Sequence, residues 1–417
     1  MTGDTRIMDS APPLADRGTQ LTTGSPMPMY SEEHFERIAT SDPDDPDRYI
    51  GLCVAQNLLM WDLLEHQLNR NRDVKPKSVA YDAMIGSQEF RKQIAAFMFD
   101  HVWRRPVDAE QVITLAGAGS VLETLFYVIA DPGEGVLIPT PSYAGYWADL
   151  ETRDALTVVP VHTSSKQGFR LTPALLEKAY QDATIPIPAL MLTNPDNPTG
   201  RIMPSDDLRD AVDWARSHGL HIVVNEIYAL SVHGDRPFTP VGSVIENLAA
   251  DVHEVWGFGK DFAMSGVRCG VMTSNNADVL KAIGELAYWS VVSGDTQHLL
   301  AEMLSDTDWT VRFLAEMRSR IRQSYRATID ALDAAAIPYV DGDAGIFLLT
   351  DMRSFMDAPT WESEDRLWRR ILEDANVNLT PGSACHVGEP GFMRICFATE
   401  PPEVVSRAIE RIATVIG

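Results

Sequence analysis

Short apolar runs alternate with segments of helical periodicity through the middle of the chain. The apolar runs predict strands, and the intervening segments, whose apolar residues recur three or four positions apart, predict helices. The predicted strands cover residues 111–115, 135–138, 156–159, 189–192, 221–224 and 271–273, with one more that ends just before Lys260. Strands and helices in alternation predict an α/β domain with a mostly parallel sheet.

The two ends of the chain predict a second, smaller α/β region. Residues 1–30 are polar and rich in proline, which indicates a loosely held arm, and Ser31 is placed to cap a short helix at 31–37. Further elements are predicted as a strand at 49–54, helices at 58–68, 88–99 and 309–334, a strand at 345–349, and helices at 364–373 and 402–416. Because 417 residues exceed one compact domain, we expect an arm with part of the small domain at 1–75, a large sheet domain at 76–300 and a small C-terminal domain at 301–417.

Composition narrows the choice of partners. The chain has 59 acidic and 35 basic residues, a net charge of −24, and this field repels nucleic acid and anionic membrane surfaces. The cysteines lack metal-ligand spacing and lie in apolar surroundings, so we expect no metal site and four buried free thiols, at Cys53, Cys269, Cys385 and Cys396. With no apolar run long enough for a bilayer and no signal pattern at the N-terminus, a cytoplasmic protein is predicted.

Four polar or small-residue segments follow predicted strands. They are the turn at 116–120 (Ala-Gly-Ala-Gly-Ser), the turn at 194–200 (Asn-Pro-Asp-Asn-Pro-Thr-Gly), the segment 225–228 and Lys260 behind Gly257 and Gly259. In a parallel sheet, ligands lie beyond the carboxyl ends of the strands, so these segments are expected to meet. The turn at 116–120 enters a helix and is either an anion site or an ordinary tight turn.

Residues 48–417 resemble the class I/II aminotransferase family of fold-type I enzymes that use pyridoxal 5′-phosphate (PLP). Within it, the chain is most similar to 1-aminocyclopropane-1-carboxylate (ACC) synthases. The resemblance rests on the order and spacing of seven stretches, at 51–64, 81–98, 140–146, 194–200, 225–228, 257–270 and 381–397. It implies a large, mostly parallel sheet domain that binds PLP, a smaller α/β domain, and a homodimer with shared active sites.

The resemblance also implies roles for individual residues. Lys260 would hold PLP as an imine and then move the α-proton of an amino acid substrate as a general base. The phosphate would lie against Arg268 and the cup of Ala118, Gly119 and Ser120. At the cofactor ring, Tyr143 would stack, Asn225 would contact the ring nitrogen, and Asn197 and Tyr228 would form hydrogen bonds to the ring 3-oxygen. Tyr81 would contact the phosphate and the substrate in the partner's site. Gln56 and Arg394 would bind the substrate, Arg394 at the α-carboxylate.

The chain departs from the family at the positions that tune this chemistry. Asn225 stands where the family has an aspartate that keeps the ring nitrogen protonated, so the cofactor should be a weaker electron sink. Glu226 is adjacent but should point to the other side of its strand. Gly257 and Gly259 replace serines, of which one binds phosphate. Gln56 and Ala148 replace a glutamate and an arginine that help ACC synthases to hold S-adenosylmethionine (SAM).

The prediction is therefore a PLP-dependent enzyme that deprotonates a small amino acid at Cα. We expect ACC-synthase-like chemistry, with elimination or replacement at Cγ, in specialised metabolism, and SAM is one candidate substrate. An aminotransferase or a PLP-dependent amino acid oxidase is the first alternative. A catalytically silent PLP-binding relative is the second, favoured by the departures and opposed by the presence of Lys260 together with Arg394.

Overall fold

A computed structural model of the protein describes residues 12–245 and 250–417. Its centre is a seven-stranded sheet, ordered β2-β8-β7-β6-β5-β3-β4, in which β8 alone runs antiparallel to its neighbours. Its strands are β2 (Val112–Leu115), β3 (Gly135–Thr140), β4 (Thr157–His162), β5 (Ala189–Thr193), β6 (His221–Asn225), β7 (Val252–Gly257) and β8 (Gly270–Ser274). The mostly parallel sheet predicted from the sequence is confirmed.

Helices cover both faces of this sheet because its central strands are apolar on both sides. In β6, Val223 packs into one core cluster, whereas Ile222 and Val224 pack into the other. The helices of this part of the chain are α4 (Gln88–Met98), α5 (Ala118–Ile129), α6 (Gly145–Glu151), α7 (Pro173–Asp182), α8 (Ser205–Ser217), α9 (Val241–Val244), α10 (Phe258–Asp261), α11 (Ala277–Leu286) and α12 (Gly294–Ser305). The clusters include residues of α5, α6 and α11 on one face and of α7, α8 and α9 on the other.

The C-terminal part forms a four-stranded antiparallel sheet, ordered β12-β13-β10-β9. Its elements are α13 (Thr307–Ala334), β9 (Tyr339–Val340), β10 (Phe347–Asp351), α14 (Trp361–Asp374), β11 (Val377–Asn378), β12 (Thr380–Pro381), β13 (Phe392–Cys396) and α15 (Pro402–Ile416). The N-terminal strand β1 (Ile50–Gly51) pairs in parallel with β11. The early chain is thus tied to the C-terminal part, although the boundaries at 75 and 300 stay a prediction.

The N-terminal arm differs from its prediction. Residues 1–11 of the predicted arm lie outside the described residues, but α1 (Asp16–Thr23) is a helix with no buried residue. The next helices are α2 (Met29–Thr40) and α3 (Trp61–Asn71). The predicted cap at Ser31 is wrong, because α2 begins at Met29 behind Pro28 and Ser31 is buried within its first turn.

Two further findings concern the chain as a whole. All four cysteines are free and buried, as predicted. Among the helices of the described ranges, none is long and apolar enough to cross a membrane.

Candidate active site

A cavity of about 210 Å³ lies beyond the carboxyl ends of β5 and β6 and beside the end of β7. The four segments that the sequence places after strands converge there, as expected from the topology of a parallel sheet. Its lining includes the following residues of those segments: Gly117, Ala118, Gly119, Asn197, Asn225, Tyr228 and Lys260. Tyr143 and Arg268 also line it.

Lys260 lies on the short helix α10, directly after β7 ends at Gly257. The neighbouring Asp261 is fully buried and accepts hydrogen bonds from Ser231 Oγ at 2.6 Å and Trp256 Nε1 at 2.9 Å, which anchor this turn. The Lys260 ammonium donates to the carbonyl of Ala55. Burial, aided by nearby arginines, lowers the pKa of Lys260 to about 8. Close to neutral pH, a substantial fraction of this lysine is therefore an uncharged nucleophile and base.

An anion cup forms where β2 leads into α5. Gly117 has φ +99 and ψ 159, a conformation that is almost restricted to glycine. A Cβ at this position would lie 2.5 Å from Arg268 Nη2, so the glycine also permits the guanidinium to approach. Within the described part of the chain, Arg268 forms no ion pair. A positive side chain and the free N–H groups at the start of α5 thus face one space, which suits a phosphate.

The serine that lines this cavity is Ser265, whereas the sequence predicted Ser120. Ser120 does not line the cavity, and its Oγ donates to the carbonyl of Ala116 at 3.1 Å, one helical turn earlier. Ser265 lines the cavity, and its Oγ donates to the carbonyl of Gly259 at 2.9 Å. A Cβ on Gly259 would lie 3.6 Å from Ser265 Oγ, so this hydroxyl occupies space close to that of a serine at position 259.

Asn225 is held by two other residues of the cavity wall. Its Nδ2 donates to Tyr146 Oη at 2.9 Å, and Tyr146 Oη lies 2.8 Å from Thr193 Oγ1. The ring of Tyr143 packs edge-to-face on Tyr146 with centroids 5.2 Å apart. As expected from the alternation of a strand, Glu226 points to the other side, where its Oε1 accepts from the backbone N–H of Val241 at 2.7 Å.

Arg394 is buried and joins the C-terminal sheet to the cavity. Its Nη1 donates to Asn197 Oδ1 at 2.9 Å, and its Nη2 donates to Thr380 Oγ1 at 3.0 Å and to the carbonyl of Cys53. Its Nε–H has no partner in the described ranges, and no carboxylate there pairs with it. Because a buried cation without a counter-charge is costly, Arg394 is a candidate to bind an anion.

Besides Ser120 and Arg394, three more residues of the sequence prediction lie outside the cavity lining. Gln56 is partly buried and follows Ala55, whose carbonyl accepts from Lys260. Ala148 lies on α6 and lines a separate surface groove with Tyr30. Tyr81 is 96% exposed and lines another surface cavity, so within one subunit it does not reach this site.

Tyr146, Thr193, Gly117 and Ser265 are residues of the site that sequence reasoning did not single out. Tyr146 and Ser265 fall inside stretches that carry the family resemblance, but their spacing gives no sign that they face the cavity. The assembled site fits PLP: a lysine with a lowered pKa for the aldehyde, a cationic cup for the phosphate, and a buried arginine for the carboxylate of an amino acid.

Fold and site define a PLP-dependent enzyme of fold-type I. The chain belongs to the family Aminotransferase class I and II, whose profile matches residues 47–412. Members of this family that resemble it use PLP, and PLP is the cofactor of this protein.

Curated relatives of the chain are ACC synthases from plants. It is 32% identical to 1-aminocyclopropane-1-carboxylate synthase CMA101 of Cucurbita maxima over 405 residues, 92% of this chain and 85% of the relative. It is 31% identical to 1-aminocyclopropane-1-carboxylate synthase 7 of Arabidopsis thaliana over 412 residues, 94% of this chain and 92% of the relative. These similarities agree with the resemblance read from the sequence.

Solved structures confirm the fold. Aspartate aminotransferase from Thermus thermophilus with maleate superposes with a TM-score of 0.79 at 23% identity, covering 97% of this chain and 100% of that one. Aromatic aminotransferase from Pyrococcus horikoshii OT3 gives a TM-score of 0.77 at 23% identity, covering 93% and 98%. At this identity the similarity establishes the fold alone.

Proposed function

We propose that the protein deprotonates a small amino acid at Cα and then eliminates or replaces a group at Cγ, with SAM as one candidate substrate. The observation that carries the proposal is that Lys260 lines the cavity and Arg394 lies directly behind it, bonded to the lining residue Asn197. Lys260 has a pKa of about 8 because of its burial, and buried Arg394 keeps an Nε–H without a partner in the described chain. One group suits the movement of a proton, and the other suits the binding of a carboxylate.

Lys260 is the proposed base. Bound PLP supplies the conjugated ring that takes up the electrons left at Cα. A base works best when its pKa is close to the working pH, and the value of about 8 meets this condition. Asp261 holds the turn that carries Lys260 through its bonds to Ser231 and Trp256, which keeps the amine aimed into the cavity.

Arg394 and Asn197 are proposed to orient substrate and cofactor together. Asn197 Oδ1 accepts from Arg394, so its Nδ2 hydrogens remain for the ring 3-oxygen. The free Nε–H of Arg394 is left for the α-carboxylate of the substrate. Tyr228, which is buried and lines the same cavity, is proposed to donate a hydrogen bond from its hydroxyl to the ring 3-oxygen, since burial raises its pKa and keeps it protonated.

Closure of the ring to ACC is not part of the proposal. In the ACC synthase pattern, a glutamate and an arginine help to hold SAM, and this chain has Gln56 and Ala148 at those positions. Without these charges, we expect the sulfonium substrate to be held less firmly for attack of Cα on Cγ. Release of methylthioadenosine without ACC is therefore the expected outcome with SAM.

Mass spectrometry of the products formed from SAM tests the proposal, with the Lys260→Ala variant as control. Methylthioadenosine that depends on Lys260 supports chemistry at Cγ. Efficient formation of ACC would show that Gln56 and Ala148 suffice for ring closure. A Lys260-dependent keto acid that retains the group at Cγ would instead identify an aminotransferase, and no turnover of SAM or of a panel of amino acids would favour a silent relative.

An aminotransferase is the second candidate. The residues at 56 and 148 lack the groups that help to hold SAM, whereas Lys260 and Arg394 are both present. Lys260 and Arg394 suit any α-amino acid substrate, so their presence does not distinguish the two reactions. An oxidase of the same fold would show as consumption of oxygen. A silent relative would have little need for a buried arginine with a free donor beside the lysine.

A homodimer is also proposed. Tyr81 is 96% exposed, Val79 79% and Tyr288 63%, and all three line one surface cavity of about 380 Å³. Apolar surface of this kind is typical of an interface with another protein, and a second copy would bring Tyr81 to the partner's phosphate. Sedimentation velocity tests the dimer, and restored activity on mixing Tyr81→Ala with Lys260→Ala subunits would support shared sites. The predicted cytoplasmic location stays a prediction.

A further inference from the structure

We infer that Asn225, oriented by Tyr146 and Thr193, donates a hydrogen bond to the cofactor's ring nitrogen and keeps that nitrogen unprotonated. Tyr146 and Thr193 are then positioning residues for the electronic state of the cofactor. The inference deepens the proposed function and rests on the binding of PLP in the Lys260 cavity.

The orientation of the Asn225 amide follows from its partners. The backbone N–H of Ile227 donates to Asn225 Oδ1 at 3.2 Å, and an N–H group can only donate. This contact identifies the oxygen, so the atom at 2.9 Å from Tyr146 Oη is Nδ2. An amide nitrogen has two hydrogens, and Tyr146 takes one of them. The second hydrogen remains for the cavity, which Asn225 lines.

The geometry of the sheet fixes the residues that hold this amide. Thr193 and Asn225 are direct partners in the register of β5 and β6, so their side chains lie side by side on one face. Tyr146 is 1% exposed and bridges them from α6 with distances of 2.8 Å and 2.9 Å. Its hydroxyl accepts from Asn225, and either it or the Thr193 hydroxyl donates in the hydrogen bond between them. The three side chains form one chain of hydrogen bonds that begins at the Asn225 amide.

This chain carries no negative charge to the ring nitrogen. Burial raises the pKa of Tyr146 and keeps its hydroxyl neutral. The other titratable or charged groups around the amide are Tyr143 and Asp149 from the segment with α6, Tyr228 after β6, Lys260 after β7, Arg268 and Cys269 before β8, and Glu226 on the reverse side of β6. Burial raises the pKa of Cys269, so its thiol is neutral. Asp149 lies at the phosphate end, 3.8 Å from where a Cβ on Gly119 would be, and Glu226 bonds with Val241 behind the sheet.

A buried N–H without an acceptor is costly, whereas the lone pair of a neutral ring nitrogen satisfies it. A protonated ring nitrogen has an N–H of its own, which would face the N–H of the Asn225 amide with no acceptor between them. The amide thus selects the unprotonated ring, which takes up fewer electrons from Cα than a protonated one.

Nitrogen-15 NMR of the protein loaded with PLP labelled at the ring nitrogen tests the inference directly. For the wild type we expect the shift of a hydrogen-bonded, unprotonated pyridine that stays constant from pH 6 to 9. Asn225→Asp should move the signal to that of a pyridinium. Tyr146→Phe and Thr193→Val should move it toward free pyridine, while Thr193→Ser, which keeps the hydroxyl, should leave it in place.

Each outcome decides a specific point. A pyridinium signal in the wild type would overturn the inference while leaving the proposed function intact. An unchanged signal in Tyr146→Phe would remove Tyr146 from its positioning role. Failure of the wild type to incorporate PLP on Lys260 would refute the proposed function itself. All four substitutions are close in size to the native residues, and circular dichroism checks that each variant is folded.

Discussion

Attachment of PLP to Lys260 should depend on pH as expected for an amine with a pKa of about 8, compared with an ordinary lysine value of 10.5. The main cause is burial, which disfavours the ammonium, and the positive charges of Arg394 and Arg268 act in the same direction. Only the neutral amine attacks an aldehyde. The rate of attachment should therefore rise with pH and level off above about pH 8.

The size of the effect follows from the neutral fractions. At pH 7.5 about a quarter of Lys260 would be neutral, against roughly one in a thousand of ordinary lysines, a ratio of about 200. The measurement is stopped-flow absorbance after mixing PLP with cofactor-free protein between pH 6 and 10. Reaction of PLP with N-α-acetyl-lysine over the same range corrects for ionisation of PLP itself.

Two controls make this measurement specific. Lys260→Ala should show no absorbance change from attachment of PLP at this site. Borohydride reduction of the wild type, followed by peptide mapping, should place the pyridoxyl group on Lys260. A midpoint near pH 10 after correction would refute the reasoning, because burial would then fail to disfavour the ammonium. Label on another lysine would refute the assignment of Lys260.

Three further predictions concern single contacts. Ser265→Ala should weaken PLP binding roughly tenfold or more, because we expect the Ser265 hydroxyl to turn from the carbonyl of Gly259 to the bound phosphate, and a hydrogen bond to a charged group contributes about 1.5–3 kcal/mol. Adding Gly259→Ser should restore part of the affinity, as fluorescence titration would show. Gly117→Ala should lower the free energy of unfolding by about 1–3 kcal/mol, because alanine disfavours this backbone conformation. It should also weaken PLP binding, because the added Cβ displaces Arg268. Equal melting temperatures for Gly117→Ala and the control Gly119→Ala would contradict the first expectation. Arg394→Lys should raise KM for the amino acid far more than it lowers kcat, because lysine keeps the charge and loses the planar fork.

The large sheet was predictable because its central strands are buried on both faces and end in polar turns. The prediction at 221–224 differs from β6 (His221–Asn225) by one residue, and the last helix, at 402–416, agrees at both ends. Local sequence does not predict the start of a helix correctly where tertiary packing determines it. Ser31 has the pattern of a helix cap, yet packing buries it in the first turn of α2, which begins two residues earlier.

The candidate site was predictable where a residue acts alone at the end of a strand, as Lys260 and Asn225 do. The site was not predictable where a turn of the chain brings a residue from a later position to the cavity. Ser265 follows Gly259 by six residues, and only the turn between them brings its hydroxyl to the cavity. Ser120 has the expected place at the start of α5, but its hydroxyl turns back to the carbonyl of Ala116.

The departures from the family pattern bear on whether this protein is a working enzyme. A silent relative would be expected to lose contacts without replacing them, because no selection would maintain the cavity. Here the glycine at 259 has a neighbouring hydroxyl in Ser265, and the amide of Asn225 donates to Tyr146, which is hydrogen-bonded to Thr193. These contacts agree with the proposed neutral ring nitrogen, and that proposal predicts that Asn225→Asp will impair the native reaction even though it restores the residue usual in the family.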